Sequence, residues 1–139
     1  EGRQFPGQPP APARPTADVV REIHMRKTAA LIRACACVGA ILTGAGAPAL
    51  DALSTYGDRV GLAFQIIDDV LDVVGTTATL GKHAGRDAAK ATYPAAFGLE
   101  HSRAIAAQLT AEAVRAVAVF GERGGILRDL AATLVERER

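Results

Sequence analysis

Aromatic side chains are scarce in this sequence. Phe and Tyr make up 4% of the 139 residues and Trp is absent. Proteins that grip single-stranded nucleic acid stack bases on aromatic rings beside a basic groove. With a formal net charge of +1 this chain has neither ingredient, so no nucleic-acid partner is expected. Cysteine is nearly as rare: Cys35 and Cys37 stand alone in ACAC. Residues two apart on a helix point to different faces, which disfavours a bridge between them. Two sulfurs without a nearby His or further Cys make no zinc site. The expectation is a pair of reduced, small core residues in a cytoplasmic protein. The opening residues EGRQFPGQ lack the basic-then-apolar pattern of a secretory leader. A long run rich in Leu and Phe is also missing. Residues 28–50 have the length to cross a bilayer, but they are built from Ala and Gly and interrupted by GAGAP at 44–48. They are expected to form a buried helix of a soluble protein, with no membrane span.

What is present suits a globular fold. Hydrophobic residues make up 49% and charged residues 22%, enough for a real core, and a chain of this length buries about two-thirds of its unfolded surface. Residues 1–15 hold five prolines and no apolar period, and read as an extended lead-in. The chain starts on Glu1 rather than Met, which suggests a fragment or a processed product. Residues 16–139 are expected to form one helical domain. Thr16 can cap a first helix, with Asp18 in its first turn, running to about Thr43. GAGAP ends it. A second helix is expected over about 49–74, roughly 39 Å long. Residues 75–94 read as a loop with one short helical turn at 84–90. A third helix starts after Pro94, weakens at Gly98 and continues to about Phe120. GERGG (121–125) is a turn. A fourth helix, about 126–137, shows Ile126, Leu127, Leu130 and Leu134 at helical spacing. No strand-like alternation stands out. The fold class is all-α, with long antiparallel helices joined by short loops.

The second helix carries the chemistry. GLAFQIIDDVLDVVG, 61–75, is apolar except for Gln65, Asp68, Asp69 and Asp72. Successive helical residues rotate by about 100°, so Gly61, Gln65, Asp68 and Asp72 share one stripe, with Asp69 beside it. Leu62, Ile66, Val70 and Val73 cover another face. Taken alone, the stripe is a solvated polar face as readily as a metal site. Its acids are all Asp, however, and Asp is a poor helix former. A short carboxylate arm suits a hard cation held close to the backbone, and oxygen-only ligands suit Mg²⁺ shared with substrate phosphates. The following loop places Lys82, His83, Arg86 and Lys90 within nine residues, with Asp87 among them. Carboxylate-bound Mg²⁺ on one side and Lys or Arg on the other is a way to neutralise a diphosphate.

These residues carry a family likeness. FQIIDDVLDVVG with LGKHAGRD, KATYP and the upstream IHMRKTAALIRA (23–34) resembles the second half of trans-isoprenyl diphosphate synthases, the bacterial farnesyl diphosphate synthase type above all. The likeness runs from about Ile23 to the chain end. It implies the C-terminal portion of a class I terpenoid-synthase helical bundle. The implied reaction joins an allylic diphosphate to isopentenyl diphosphate with the help of Mg²⁺, for which Mn²⁺ can substitute. By the resemblance, Asp68 is the main metal ligand of the second Asp-rich motif, completed by Asp69 and Asp72. Lys27 and Lys82 hold the allylic diphosphate. Thr28 and Gln65 line the reacting carbons, Asp87 and Lys90 stand near the metal, and Phe64 belongs to the pocket wall. His24 reads as a helix-packing or interface residue rather than a catalytic one.

The sequence also departs from the family pattern. The family uses two Asp-rich motifs on facing helices, and one Asp–Asp pair, 68–69, is present here. The partner motif, the arginines after it and the isopentenyl diphosphate pocket belong to the family's first half. The family usually has two more residues between the positions of Asp87 and Lys90, and an acid is common where Thr76 stands. The isolated chain is therefore expected to be inactive, to expose apolar helix faces, and to associate as a homodimer or with a complementary N-terminal half. Two other readings stay open: a non-catalytic subunit or regulator that pairs with such a half, and a plain helical interaction module with solvated acids.

Overall fold

The structure, a computed structural model, describes residues 16–79 and 92–136. The lead-in 1–15 and the basic loop residues Lys82, His83, Arg86, Asp87 and Lys90 lie outside the described residues. Those described are helical almost throughout, with no strand among them. Helix α1 spans Ala17–His24, a π-helical turn follows at Met25–Ala29, and α2 continues over Ala30–Leu42. The long α3 covers Ala47–Thr79, the short α4 Tyr93–Phe97, and α5 Leu99–Ala116. A 3₁₀ segment, Val117–Gly124, leads into α6, Gly125–Glu136.

Local chemistry explains most of these boundaries. The Thr16 hydroxyl accepts from the backbone N–H of Val19 at 3.4 Å, and Asp18 sits in the first turn where the helix dipole favours an acid. Gly44, with φ +68°, closes α2 in a left-handed conformation that suits glycine. Gly98, at φ +83°, separates α4 from α5. Gly121, at φ +55°, breaks the helix inside GERGG. The stretch Leu99–Leu134 is long and apolar enough to cross a membrane by length and composition alone, but this break interrupts it and α5 packs along α3.

Four expectations need correction. The second helix does not stop near Val74 but runs to Thr79: a single Gly75 costs a helix about 1 kcal/mol and does not end it. The third begins at Tyr93, with Thr92 as its cap and Pro94 inside the first turn, where a missing N–H costs nothing. Residues 30–42 are not a buried helix. No residue of α2 is buried, and Leu31, Val38, Ile41 and Leu42 are exposed. Cys35 is exposed and Cys37 half-buried, so both are free thiols but neither is a core residue. The reason is common to both: α2 packs on α3 along one side, and no other described helix covers its outer side.

Helix α3 is the axis of the fold, with α2 on one side and α5 on the other. Its Leu62, Ile66, Ile67 and Val70 are buried, together with Val20, Leu109 and Val117. Each such side chain contributes about 1.5–3 kcal/mol on full burial. Tyr56 donates to the Leu127 carbonyl at 2.7 Å, tying α3 to the start of α6. The contact of α3 with α2 and the π-turn is made at glycine. A Cβ on Gly61 would fall on the Cα of Ala29, and one on Gly57 on the Cα of Arg33. Gly39, on α2, faces open space.

Alanine substitution at these glycines should therefore have opposite signs. Gly61→Ala should destabilise by about 1–3 kcal/mol despite its better helix propensity, because backbone must move. Gly39→Ala should stabilise by about 0.5–1 kcal/mol through propensity alone. Urea unfolding monitored by circular dichroism measures both; equal and positive effects would show that α2 and α3 are not in backbone contact.

Candidate active site on the carboxylate helix

The π-turn sets the geometry of the site. The N–H of Ala30 reaches the carbonyl of Met25, a spacing of five residues that widens the helix by one residue locally. This turn carries Lys27 and Thr28 past α3 at the point where Gly61 admits close approach. Thr28 is half-buried and Gln65 buried, and the Thr28 hydroxyl donates to Gln65 Oε1 at 2.7 Å. Two residues 37 apart in the chain thus share one hydrogen bond. Lys27 is exposed, on the same turn. Phe64 is half-buried and packs against the hydrophobic core.

One helical turn beyond Gln65, the acids take different environments. Asp68 and Asp69 are half-buried and Asp72 is exposed. Asp69 Oδ2 accepts from the backbone N–H of Tyr93 at 2.9 Å and lies 3.4 Å from His24 Nε2. The His24 ring, itself buried, stacks on Tyr93 with centroids 5.4 Å apart. Burial pushes the Asp69 carboxyl above its ordinary value; the Tyr93 N–H and His24 oppose this, while the charges of Asp72 and Asp68 add to it. Burial likewise lowers the pKa of His24, with Asp69 opposing and the Lys27 charge adding. Lys27, His24 and the three acids therefore share one electrostatic neighbourhood. Among the described residues, no group of three or more His, Cys, Asp or Glu side chains is arranged to hold a metal ion.

Sequence reasoning brought Gln65, Asp68 and Asp72 to one stripe, but it missed three features. Thr28 and Gln65 are directly bonded. Asp69 is tied to His24 and Tyr93. A cavity of about 320 Å³ opens among Arg21, Arg59, Leu62, Tyr93, Phe97 and Glu112, away from the Asp stripe, with Arg59 Nε 2.8 Å from Glu112. The hints in the sequence were the family resemblance, which set Thr28 and Gln65 around the same reacting carbons, and the grouping of His24, Lys27 and Thr28 within five residues.

The Thr28–Gln65 bond has a measurable consequence. Thr28→Val keeps the shape but leaves a buried Gln65 carbonyl without its donor, which should cost about 1–3 kcal/mol. Thr28→Ser should retain most of that stability. Thermal melts of the two variants check this; equal loss in both would assign the effect to the methyl group instead.

Comparison with known proteins shows the family of the chain. Residues 9–119 match the polyprenyl synthetase family. A dimethylallyltranstransferase of Fischerella ambigua is 49% identical over 83% of this chain and 34% of its own length. Farnesyl diphosphate synthase of Escherichia coli K12 is 43% identical over 88% of this chain and 43% of its own. A solved geranyltransferase of Helicobacter pylori, complexed with magnesium and isoprenyl diphosphate, superposes with a TM-score of 0.68 at 25% identity, covering 91% of this chain and 42% of that one. The chain thus spans less than half the length of these relatives. Their helical, terpenoid-synthase-like fold is shared here, and the chain belongs to the polyprenyl synthetase family.

Proposed function

We propose that this chain is the C-terminal part of a prenyltransferase that joins an allylic diphosphate to isopentenyl diphosphate, and that its 139 residues alone do not turn over. The observation that carries this reading is the placement of Lys27, Thr28 and Gln65 beside an Asp-only stripe, in a chain of this family. In the reaction the allylic C–O bond breaks and diphosphate leaves with the bonding pair. The double bond of isopentenyl diphosphate then forms the new C–C bond, and a proton is lost.

The donor set fits Mg²⁺ as one wall of a site. It offers oxygen atoms only, and the charges of Asp68 and Asp72 both disfavour ionised Asp69, a repulsion that a hard dication relieves. Asp68 is assigned as the main ligand, with Asp72 and Asp69 completing the wall. When bound, Mg²⁺ neutralises charge that develops on the departing diphosphate. Lys27 adds a point charge to the same group, and Lys82 is assigned the same role. The Thr28 hydroxyl donates a hydrogen bond to Gln65, which leaves its oxygen as an acceptor, and the Thr–Gln dipoles are fixed before reaction begins. Such fixed dipoles steady an allylic cation without reorganising. Asp87, Lys90 and Phe64 are assigned to substrate binding, in line with the family motif. With one carboxylate wall, the diphosphate lacks half of its clamp.

The exposed side of α2 favours a second reading of how the chain works. Leu31, Val38, Ile41 and Leu42 leave apolar surface uncovered, as a half that pairs with a complementary chain would. In that form the chain serves as a non-catalytic subunit. Co-purification with a chain carrying the other Asp-rich motif supports it.

The direct test is calorimetric titration of the purified chain with Mg²⁺ and inorganic pyrophosphate, alongside a prenyl-transfer assay. Weak binding with undetectable turnover is expected. Asp68→Ala should lower the affinity by at least about tenfold. Robust turnover by the chain alone would refute the half-site reading, and an unchanged Asp68→Ala affinity would leave the acids as a solvated stripe.

A further inference from the structure

His24 is 5% exposed, yet its Nδ1 is buried without a hydrogen-bond partner. A buried ring nitrogen left in that state costs free energy whether it is donor or acceptor. With no partner at Nδ1, the ring makes its polar contact through Nε2. That nitrogen faces Asp69 Oδ2 at 3.4 Å. The same oxygen accepts the Tyr93 N–H at 2.9 Å, and Tyr93 stacks on the His24 ring at an interplanar angle of 16°. One carboxylate oxygen is thus held from two sides by elements that are stacked on each other.

The position of this contact along α3 matters. Val70 is fully buried, whereas residues 71–75 are all exposed. Packing of α3 against the core therefore ends within one residue of Asp69. Asp68 and Asp72 stand on either side of that edge. We propose that His24 is a positioning residue for the Asp-rich motif: it pins Asp69 against Tyr93 and so fixes the turn of α3 that presents Asp68 and Asp72. This rests on the reading of those acids as a metal wall. His24 touches neither metal nor substrate in this account; it acts through Asp69.

Two substitutions separate the polar contact from the stack. His24→Phe keeps an aromatic ring over Tyr93 and removes the Nε2 contact with Asp69. His24→Gln places an amide N–H near the Nε2 position and removes the stack. Two readouts are needed: hydrogen exchange of the Tyr93 amide by NMR, and Mn²⁺ binding by electron paramagnetic resonance, both on the full 139-residue chain. Freed of its partner, Asp69 in His24→Phe should let the Tyr93 amide exchange about tenfold faster and weaken Mn²⁺ binding about fivefold. His24→Gln should keep both within about twofold of wild type, whichever variant melts higher. If both quantities simply follow the melting temperature across the two variants, or if neither moves in His24→Phe, the positioning role is overturned. Asp68→Asn serves as the control and should lose Mn²⁺ without changing Tyr93 exchange. Should it keep Mn²⁺ binding, the metal-wall reading fails, and Tyr93 exchange alone still decides whether His24 holds Asp69.

Discussion

Everything in the site depends on how closely the helix of residues 17–42 can lie against α3. At Gly57 and Gly61 there is no room for a single methyl group between them. Two glycines one turn apart form a groove, and the Cα atoms of Arg33 and Ala29 lie in it. Closer approach strengthens dispersion across the contact, although each term is only about 0.1–0.2 kcal/mol per atom pair. Its larger effect is positional. It sets Thr28 beside Gln65, and the two side chains meet in a 2.7 Å hydrogen bond. A glycine in mid-helix costs up to about 1 kcal/mol. Here that cost is offset by the hydrogen bond and packing that the contact permits.

The π-turn at Met25–Ala29 works with this contact. An inserted residue disturbs the regular hydrogen-bond ladder and is tolerated only where tertiary packing holds it. Ala29, fully buried against Gly61, supplies that packing. The turn also shifts the face of the helix. Val20 and His24 point into the core upstream of it, while Lys27 is exposed at its centre. Core packing and a charged group thus share one short stretch without burying the ammonium, whose desolvation would be costly.

Much of this architecture was legible in the sequence, for local reasons. The Thr16 cap, the stop at GAGAP, the break at Gly98 and the Asp stripe on α3 are all short-range consequences of residue type and helical rotation. What was not legible depended on long-range partners. Burial of α2 cannot be judged from its composition, because an Ala-rich apolar helix looks the same whether its second side is covered or not. Tyr93 and His24 stand 24 and 45 residues from Asp69, and no periodicity joins them. Gly75 has the look of a stop signal, but helix propensity is a weak prior against a continuing hydrogen-bond ladder.

The acids on α3 make physical sense only when their surroundings are divided. Asp69 is half-buried, with its Oδ2 against the Tyr93 N–H and the His24 imidazole. Asp72 is exposed, and Asp68 lies between these extremes. A uniformly buried trio would repel strongly in a low dielectric, and a uniformly solvated trio would hold nothing firmly in place. Anchoring one carboxylate in the protein beside two less enclosed neighbours gives rigidity on one side and negative charge on the other. The apolar residues of 61–75 belong to the same arrangement, since Leu62, Ile66, Ile67 and Val70 hold the helix against the fold. The hydrophobic character of this helix and its carboxylates are therefore two requirements of one element: a rigid rail on one side, a charged edge on the other.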